Sequence, residues 1–184
     1  IMPEVHLAAS AERGFRTVMC GQATAAGESA DEAICRLEED FIRFNNMNSL
    51  ISCKLGFHAE YTAGRKLIEG IAKLADKYQA PMYTHNSETQ REVTECIGRY
   101  GMTPTAWLDS VGMFQYGGGG FHCVWLTEAD RDIFVRRNMS VVTNPGSNTK
   151  LASGIAPLVK IKEKGINIAI GTGGPARNNC LDRF

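Results

Sequence analysis

Short apolar segments alternate with amphipathic segments along this chain, and this alternation is the feature that most restricts its fold. A typical pair is FRTVMCG at 15–21, followed from Ser29 by apolar residues at helical spacing. We predict strands over 15–21, 50–57, 81–85, 119–125, 140–144 and 166–172. We predict helices over 29–46, 65–78, 87–100, 127–138 and 155–164, with a helical turn or two after Thr105. Strands and helices that alternate through short links form parallel sheets with crossover helices.

Polar residues near the ends of the predicted strands decide between two parallel architectures. His58, His85 and Asn144 each follow an apolar strand. His122 lies within FHCVW, and Gly173 follows the last strand. Functional side chains at the carboxyl ends of several strands are typical of a TIM-type barrel, whereas a doubly wound sheet places them at one switch point. The sequence therefore predicts an α/β fold, a partial (β/α)8 barrel of about six strands.

The composition of residues 1–184 is that of one soluble domain. The formal net charge is zero, 43% of the residues are hydrophobic, and no repeat or linker divides the chain. The balanced charge gives no electrostatic basis for binding nucleic acid or an anionic membrane. No apolar run is long enough to span a bilayer. We therefore expect a cytoplasmic protein whose partner is neither nucleic acid nor a membrane.

The six cysteines form no Cys-x-x-Cys pair, and several of them lie within apolar runs. We expect buried thiols in a reducing compartment rather than disulfides or zinc ligands. The amino end lacks the basic region and apolar stretch of a signal peptide. Because the first residue is not Met and Phe184 interrupts a pattern, we expect the chain to be part of a longer one.

Five segments follow one another in the order found in a known superfamily. The motifs of the fourth to eighth barrel strands of amidohydrolases resemble GFHAEYT at 56–62, HNSET at 85–89, FHCVWL at 121–126, TNPGSN at 143–148 and GTGGPARNN at 171–179. The similarity is greatest to the methylthioadenosine/S-adenosylhomocysteine deaminases and the related chlorohydrolases. It implies that the six predicted strands are strands three to eight of an eight-stranded barrel.

The resemblance also implies a reaction and roles for particular residues. In the family a divalent metal, zinc or iron, activates water for attack on an aminopurine-like or triazine-like ring, and ammonia leaves. His85 would be a metal ligand. Glu88 would carry protons and His122 would orient or polarise the attacked group, which makes both catalytic. His58 and Asn144 would bind the substrate, so the partner that the resemblance implies is a small molecule.

The same resemblance indicates what this chain lacks. Gly173 stands where the family has an Asp that binds the metal and handles a proton, and the four histidines form no His-x-His pair. A catalytic zinc needs three protein ligands, and His85 alone matches a ligand position with certainty. Two hypotheses follow. The chain is the body of a metal-dependent C–N hydrolase seen incomplete, or it is a catalytically dead barrel remnant that serves as a binding or assembly module, in which the metal is absent.

Two local patterns allow other interpretations. Ser87 can be the N-cap of a helix with Glu88 in its first turn, which would explain both residues without catalysis. The turn GTGGPA at 171–176 satisfies the G-x-G-x-x-A dinucleotide fingerprint. The acidic residue expected about 20 positions further on does not follow, so this pattern is better interpreted as an altered Gly-Thr-Asp-Gly turn.

A barrel of six strands cannot close, because a complete TIM barrel usually needs about 250 residues. The first and last strands would then be bare edges, and such edges invite association. We therefore expect a homo-oligomer, or association through the open edges of the barrel.

Overall fold

The computed structural model describes residues 3–174, which form one open sheet with helices between its strands. The strands are β1 (Thr17–Cys20), β2 (Ile51–Ala59), β3 (Met82–Asn86), β4 (Gly118–His122), β5 (Met139–Thr143) and β6 (Ile168–Ile170). The helices are α1 (Pro3–Glu12), α2 (Ala30–Phe44), α3 (Glu60–Tyr78), α4 (Gln90–Tyr100), α5 (Pro104–Ser110), α6 (Glu128–Arg136), α7 (Pro145–Lys150) and α8 (Leu158–Glu163).

All neighbouring strands are parallel, and their order in the sheet, β1-β2-β3-β4-β5-β6, is also their order in the chain. This confirms the predicted α/β architecture of six parallel strands. Within residues 3–174 the first and last strands do not pair, so the sheet is an arc of a barrel rather than a closed one.

The apolar faces of the two longest helices hold the strand that carries His58. Leu37 of α2 and Leu67 and Ile71 of α3 are almost completely buried. Burial of each such side chain stabilises the fold by roughly 1.5–3 kcal/mol. Since α2 and α3 pack on each other and on β2, the end of β2 has a fixed position.

Element boundaries differ from the predictions where turn chemistry outweighs the apolar pattern. α4 begins at Gln90 rather than 87, because Thr89 is its N-cap. α3 begins at Glu60 rather than 65 and bends at Gly64, whose φ is +69°. β4 ends at His122 rather than 125, because the backbone there turns into the left-handed region.

Two helices were not predicted. In α1 the apolar pattern is weak, with Leu7 buried but Val5 58% exposed. α7 is only six residues long and begins at Pro145. α8 is shorter than the predicted 155–164 because Pro157 directly precedes it. No helix in the described range 3–174 combines the length and the apolar character needed to cross a membrane.

The cysteines are only partly as expected. The buried thiols are Cys53, Cys96 and Cys123. Burial raises the pKa of the Cys53 thiol to about 11, which keeps it protonated near neutral pH. Cys20 is half-buried. The expectation is wrong for Cys35, which is exposed because it lies on the outer face of α2, and Cys180 lies outside the described residues.

Each outer strand has a bare edge in the part of the chain that the structure describes. β1 pairs with β2 alone, and β6 pairs with β5 alone. Val18 on β1 is 59% exposed, and Ile170 on β6 is 67% exposed. Unpaired strands with exposed apolar side chains are templates for pairing with another strand.

We therefore expect the purified chain to self-associate, and the double variant Val18→Lys, Ile170→Lys to be shifted toward monomer, because lysine on an edge strand opposes further pairing. Sedimentation equilibrium over a range of concentrations measures this. Val135→Lys is the matched control, since Val135 is also half-exposed but lies on α6. A wild-type chain that stays monomeric at every concentration would contradict the expectation.

Candidate functional site

Three histidines lie side by side at the carboxyl end of the sheet. The ring centroids of His58 and His85 are 4.7 Å apart, and those of His85 and His122 are 5.3 Å apart. All three line a cavity of about 380 Å³, whose other lining residues are Gln22, Phe121, Asn144, Ser147, Gly173 and Gly174. The predicted convergence of the imidazoles is confirmed, and the cavity is large enough for a small organic molecule.

The position of His85 fixes which of its ring nitrogens is protonated. Nδ1 of His85 lies 2.8 Å from the backbone carbonyl oxygen of His58. A carbonyl oxygen only accepts hydrogen bonds, so Nδ1–H of His85 is the donor. In the neutral ring the lone pair is therefore on Nε2, which is the nitrogen that could bind a metal or accept a proton.

Glu88 and His122 form a buried pair beside the cavity. Their side chains are almost fully enclosed, and Oε1 of Glu88 lies 3.6 Å from Nδ1 of His122. The Ser153 hydroxyl donates to the same Glu88 oxygen at 3.4 Å. Nδ1 of His122 also lies 2.6 Å from Oδ1 of Asn148. A carboxylate and an imidazole within reach of each other and shielded from bulk water are suited to proton transfer.

The backbone on both sides of this pair is held in uncommon conformations. Ser87, His122 and Cys123 have φ values of +51°, +70° and +52°. Residues other than glycine rarely adopt such values, and these angles cluster at functional sites. The Cys123 N–H donates to the Asn86 carbonyl at 3.1 Å, and the Trp125 N–H donates to the Ser87 carbonyl at 2.9 Å. The turn after β4 is thereby tied to the loop after β3.

A second carboxylate, that of Glu92, anchors the loop that carries Glu88. Glu92 accepts hydrogen bonds from the backbone N–H groups of Ser87, Glu88 and Thr89 at 2.8, 2.8 and 3.4 Å. Thr89 is the N-cap of α4 and forms a capping box with Glu92. The alternative in which Ser87 caps this helix is therefore wrong. Glu88 lies before the helix and is buried against His122. The Thr-x-x-Glu pattern at 89–92 was the sequence signal that could have identified Thr89 as the N-cap.

Burial is the main influence on Glu92. It raises the pKa of the Glu92 carboxyl above its ordinary value, and the three backbone N–H groups oppose the rise without cancelling it. The pKa of Glu92 is thus higher in the folded chain than in the unfolded chain. Its contribution to the free energy of unfolding is therefore fully present when the pH is below the pKa of the unfolded chain. That contribution is lost as the pH rises through the pKa of the folded chain.

Glu92→Ala is expected to destabilise the chain by about 1–3 kcal/mol, because buried N–H groups of the loop lose their acceptor. Urea denaturation measures the free energy of unfolding. Glu95→Ala is the matched control, since Glu95 lies on the same helix with its carboxylate exposed and paired with Arg91. The control should change stability by no more than about 0.5 kcal/mol. Equal decreases in the free energy of unfolding of the two variants would show that Glu92 does not anchor the loop.

The turn after β6 brings Gly173 to the cavity without a side chain. Gly173 has a φ of +72°, and a Cβ atom there would lie 2.9 Å from Cβ of Ser147. Asn144, which directly follows β5, is buried and lines the same cavity. Asn144 thus lies at the cavity and its substrate-binding role stays a prediction, while position 173 contributes neither a side-chain ligand atom nor a base.

The described residues do not fit a catalytic metal. Within residues 3–174 no three His, Cys, Asp or Glu side chains are arranged to hold a metal ion. The rings of His85 and His122 are stacked, with an angle of 27° between their planes. A catalytic zinc needs three protein ligands and an open position, and this part of the chain does not provide them.

Sequence reasoning did not single out Gln22, Ser147, Asn148 or Ser153 as site residues. Asn148 had a usable signal, because Asn144 and Asn148 are four residues apart and therefore lie on the same side of a helix. Gln22 had no such signal. It reaches the cavity only because β1 and β2 are adjacent in the sheet.

Comparison with known sequences identifies the family of the chain. A sequence profile of the amidohydrolase family matches residues 4–184. The chain belongs to the amidohydrolase family. This amidohydrolase chain is 44% identical over 134 residues to 5-methylthioadenosine/S-adenosylhomocysteine deaminase of Caldanaerobacter subterraneus subsp. tengcongensis. The aligned residues cover 73% of this chain and 31% of that protein. It is 36% identical over 176 residues to 5'-deoxyadenosine deaminase of Methanopyrus kandleri, and this alignment covers 95% of this chain and 41% of that protein.

Solved structures confirm the partial TIM-type barrel. An adenosine deaminase from Xanthomonas campestris with bound zinc superimposes with a TM-score of 0.91 and 34% identity, over 99% of this chain and 42% of that one. Triazine hydrolase from Arthrobacter aurescens superimposes with a TM-score of 0.87, over 97% of this chain and 42% of that one. Its sequence identity is only 19%, so this likeness shows the shared fold alone. The amidohydrolase chain thus spans well under half the length of these relatives.

Proposed function

We propose that this chain carries the ring-binding pocket and the proton-transfer pair of a deaminase that acts on an aminopurine nucleoside. The observation that supports the proposal is the buried pair of Glu88 and His122 beside a cavity lined by imidazole and amide side chains. The relatives described above are named as deaminases of adenosine-type compounds. The alternative, an aminotriazine substrate, is supported only by the fold that this chain shares with triazine hydrolase.

Each side chain has a role in this proposal that follows from its position. His58 and Asn144 hydrogen-bond to the ring or its sugar, and Phe121 lies against the ring face. Glu88 transfers one proton of the attacking water to the ring nitrogen. It then transfers the second proton, from the hydroxyl group added to the ring, to the leaving amine. His122 orients the group under attack.

The family implies a zinc or iron cofactor, which would supply activated water. His85 would be one of its ligands, through Nε2, but residues 3–174 do not complete a ligand set. We therefore propose that the chain by itself binds the nucleoside without converting it. The glycine at position 173 favours a second function, a catalytically inactive barrel that retains the pocket for binding or assembly.

Isothermal titration calorimetry tests the pocket. The ligands are S-adenosylhomocysteine, methylthioadenosine and adenosine, with melamine as an aminotriazine. We expect the adenosine compounds to bind, and His58→Ala and Asn144→Ala each to weaken binding about tenfold, the equivalent of about 1.4 kcal/mol. His6→Ala is the matched control, because His6 is exposed on α1. Absence of nucleoside binding at millimolar concentration, or binding of melamine alone, would refute the proposal.

The two functions are separated by two further observations. The first is the metal content of the purified chain. The second is the coding sequence upstream of it, where an in-frame His-x-His strand would indicate an enzyme and its absence would indicate the inactive barrel.

A further inference from the structure

We propose that Asn148 is a positioning residue for His122. Its side-chain oxygen accepts the hydrogen bond of Nδ1–H and so holds the imidazole in the tautomer that leaves the lone pair on Nε2. The inference rests on the proposed function, since His122 is the side chain assigned there to orient the attacked group.

The contacts of His122 assign the proton to Nδ1. Oδ1 of Asn148 lies 2.6 Å from Nδ1, and Oε1 of Glu88 lies 3.6 Å from the same nitrogen. A carboxylate oxygen and an amide oxygen are both acceptors, so two acceptors face one ring nitrogen. That arrangement is satisfied only when Nδ1 carries the proton. The enclosure of His122 and Asn148, which are 2% and 1% exposed, strengthens the preference because water does not compete.

Nε2 of His122 is then the nitrogen available to a bound molecule. The ring lines the cavity, and no residue in the described range makes a hydrogen bond to this nitrogen. In the neutral ring with Nδ1 protonated, Nε2 is an acceptor. It would accept from an N–H or O–H of the bound molecule, such as an amino group on a ring or the water that attacks it. The opposite tautomer would present a donor there instead.

Asn148 is itself held by backbone hydrogen bonds. Its N–H donates to the Asn144 carbonyl at 2.9 Å, and its carbonyl accepts from the Ser153 N–H at 2.8 Å. Ser153 in turn donates its hydroxyl to Glu88. One short stretch that includes α7 therefore contacts both members of the buried pair, Asn148 touching His122 and Ser153 touching Glu88.

The test is the tautomer of His122, measured by ¹⁵N and ¹³C chemical shifts of the ring in the full chain without added nucleoside. In the wild type we expect the Nδ1–H form. In Asn148→Leu, which has a similar volume and no acceptor, the ratio of Nδ1–H to Nε2–H should fall about tenfold, the loss expected for one hydrogen bond. Asn148→Asp restores an acceptor of the same shape and should keep the Nδ1–H form.

Asn167→Leu is the matched control, since Asn167 is exposed and donates a side-chain hydrogen bond to the Ser140 hydroxyl. It should leave the His122 ratio unchanged. A wild-type ring in the Nε2–H form would overturn the inference even if the Leu variant does not fold. So would an unchanged ratio in a folded Asn148→Leu chain. Because the measurement uses no nucleoside, failure of ring binding and failure of this inference are seen in separate experiments.

Discussion

The chain as it stands is expected to release no ammonia from S-adenosylhomocysteine, methylthioadenosine or adenosine, even with added zinc or iron. Among the described residues His85 is the one side chain proposed as a metal ligand, no set of three is present, and Gly173 has no side chain that could serve as a further ligand. An ammonia-release assay with added metal measures this. Turnover on the order of 1 per second or faster, an ordinary enzymatic rate, would show that the site has been misassigned.

Gly173→Asp alone is not expected to restore turnover, because a His-x-His segment must be supplied as well. It should also lower stability, since φ is +72° and the new Cβ would lie 2.9 Å from Cβ of Ser147. Gly174→Asp is the matched control, because a Cβ at Gly174 meets nothing within 4 Å. Full activity in the Gly173→Asp chain without an added His-x-His segment would contradict the ligand count.

Gly118→Ala is expected to destabilise the chain by more than about 3 kcal/mol or to prevent folding, a loss at the large end for a single substitution. Gly118 has a φ of +133°, and an added Cβ would lie 1.8 Å from the carbonyl oxygen of Met82 on the neighbouring strand. The clash is with backbone, so β3 and β4 would have to separate.

Gly98→Ala makes the same chemical change where nothing opposes it. Gly98 lies within α4, and its added Cβ meets nothing within 4 Å. The variant should be more stable than the wild type by roughly 0.5–1 kcal/mol, because glycine is the poorer helix former. Urea denaturation of both variants measures the contrast, and a Gly118→Ala chain as stable as the wild type would contradict the close approach of the two strands.

The fold was predictable because the information for it is local. Each strand is an apolar run, each long helix has an apolar stripe, and short links between them require parallel pairing. The boundaries were less predictable, because they depend on single residues that compete with the pattern. Thr89 moves the start of α4, and Gly64 bends α3 without ending it.

The convergence of the three histidines was predictable, but the hydrogen bonds that connect the site were not. His58, His85 and His122 were expected to converge, and their rings do lie side by side. The link from Asn148 to His122 joins residues 26 positions apart, and that from Ser153 to Glu88 joins residues 65 positions apart. Contacts of this kind depend on how strands are placed in register, which no local pattern encodes. The roles of these residues stay predictions.

The sequential strand order has a consequence for how the chain is made. Within residues 3–174 each strand from β2 onward pairs with the strand that precedes it in the chain, and none of these strands has to be inserted between two that are already joined. Translation from the amino end, at roughly 5–20 residues per second, therefore delivers the strands in the order in which they pair. The nascent sheet can grow by one strand and its helix at a time, and its growing edge is always the newest strand.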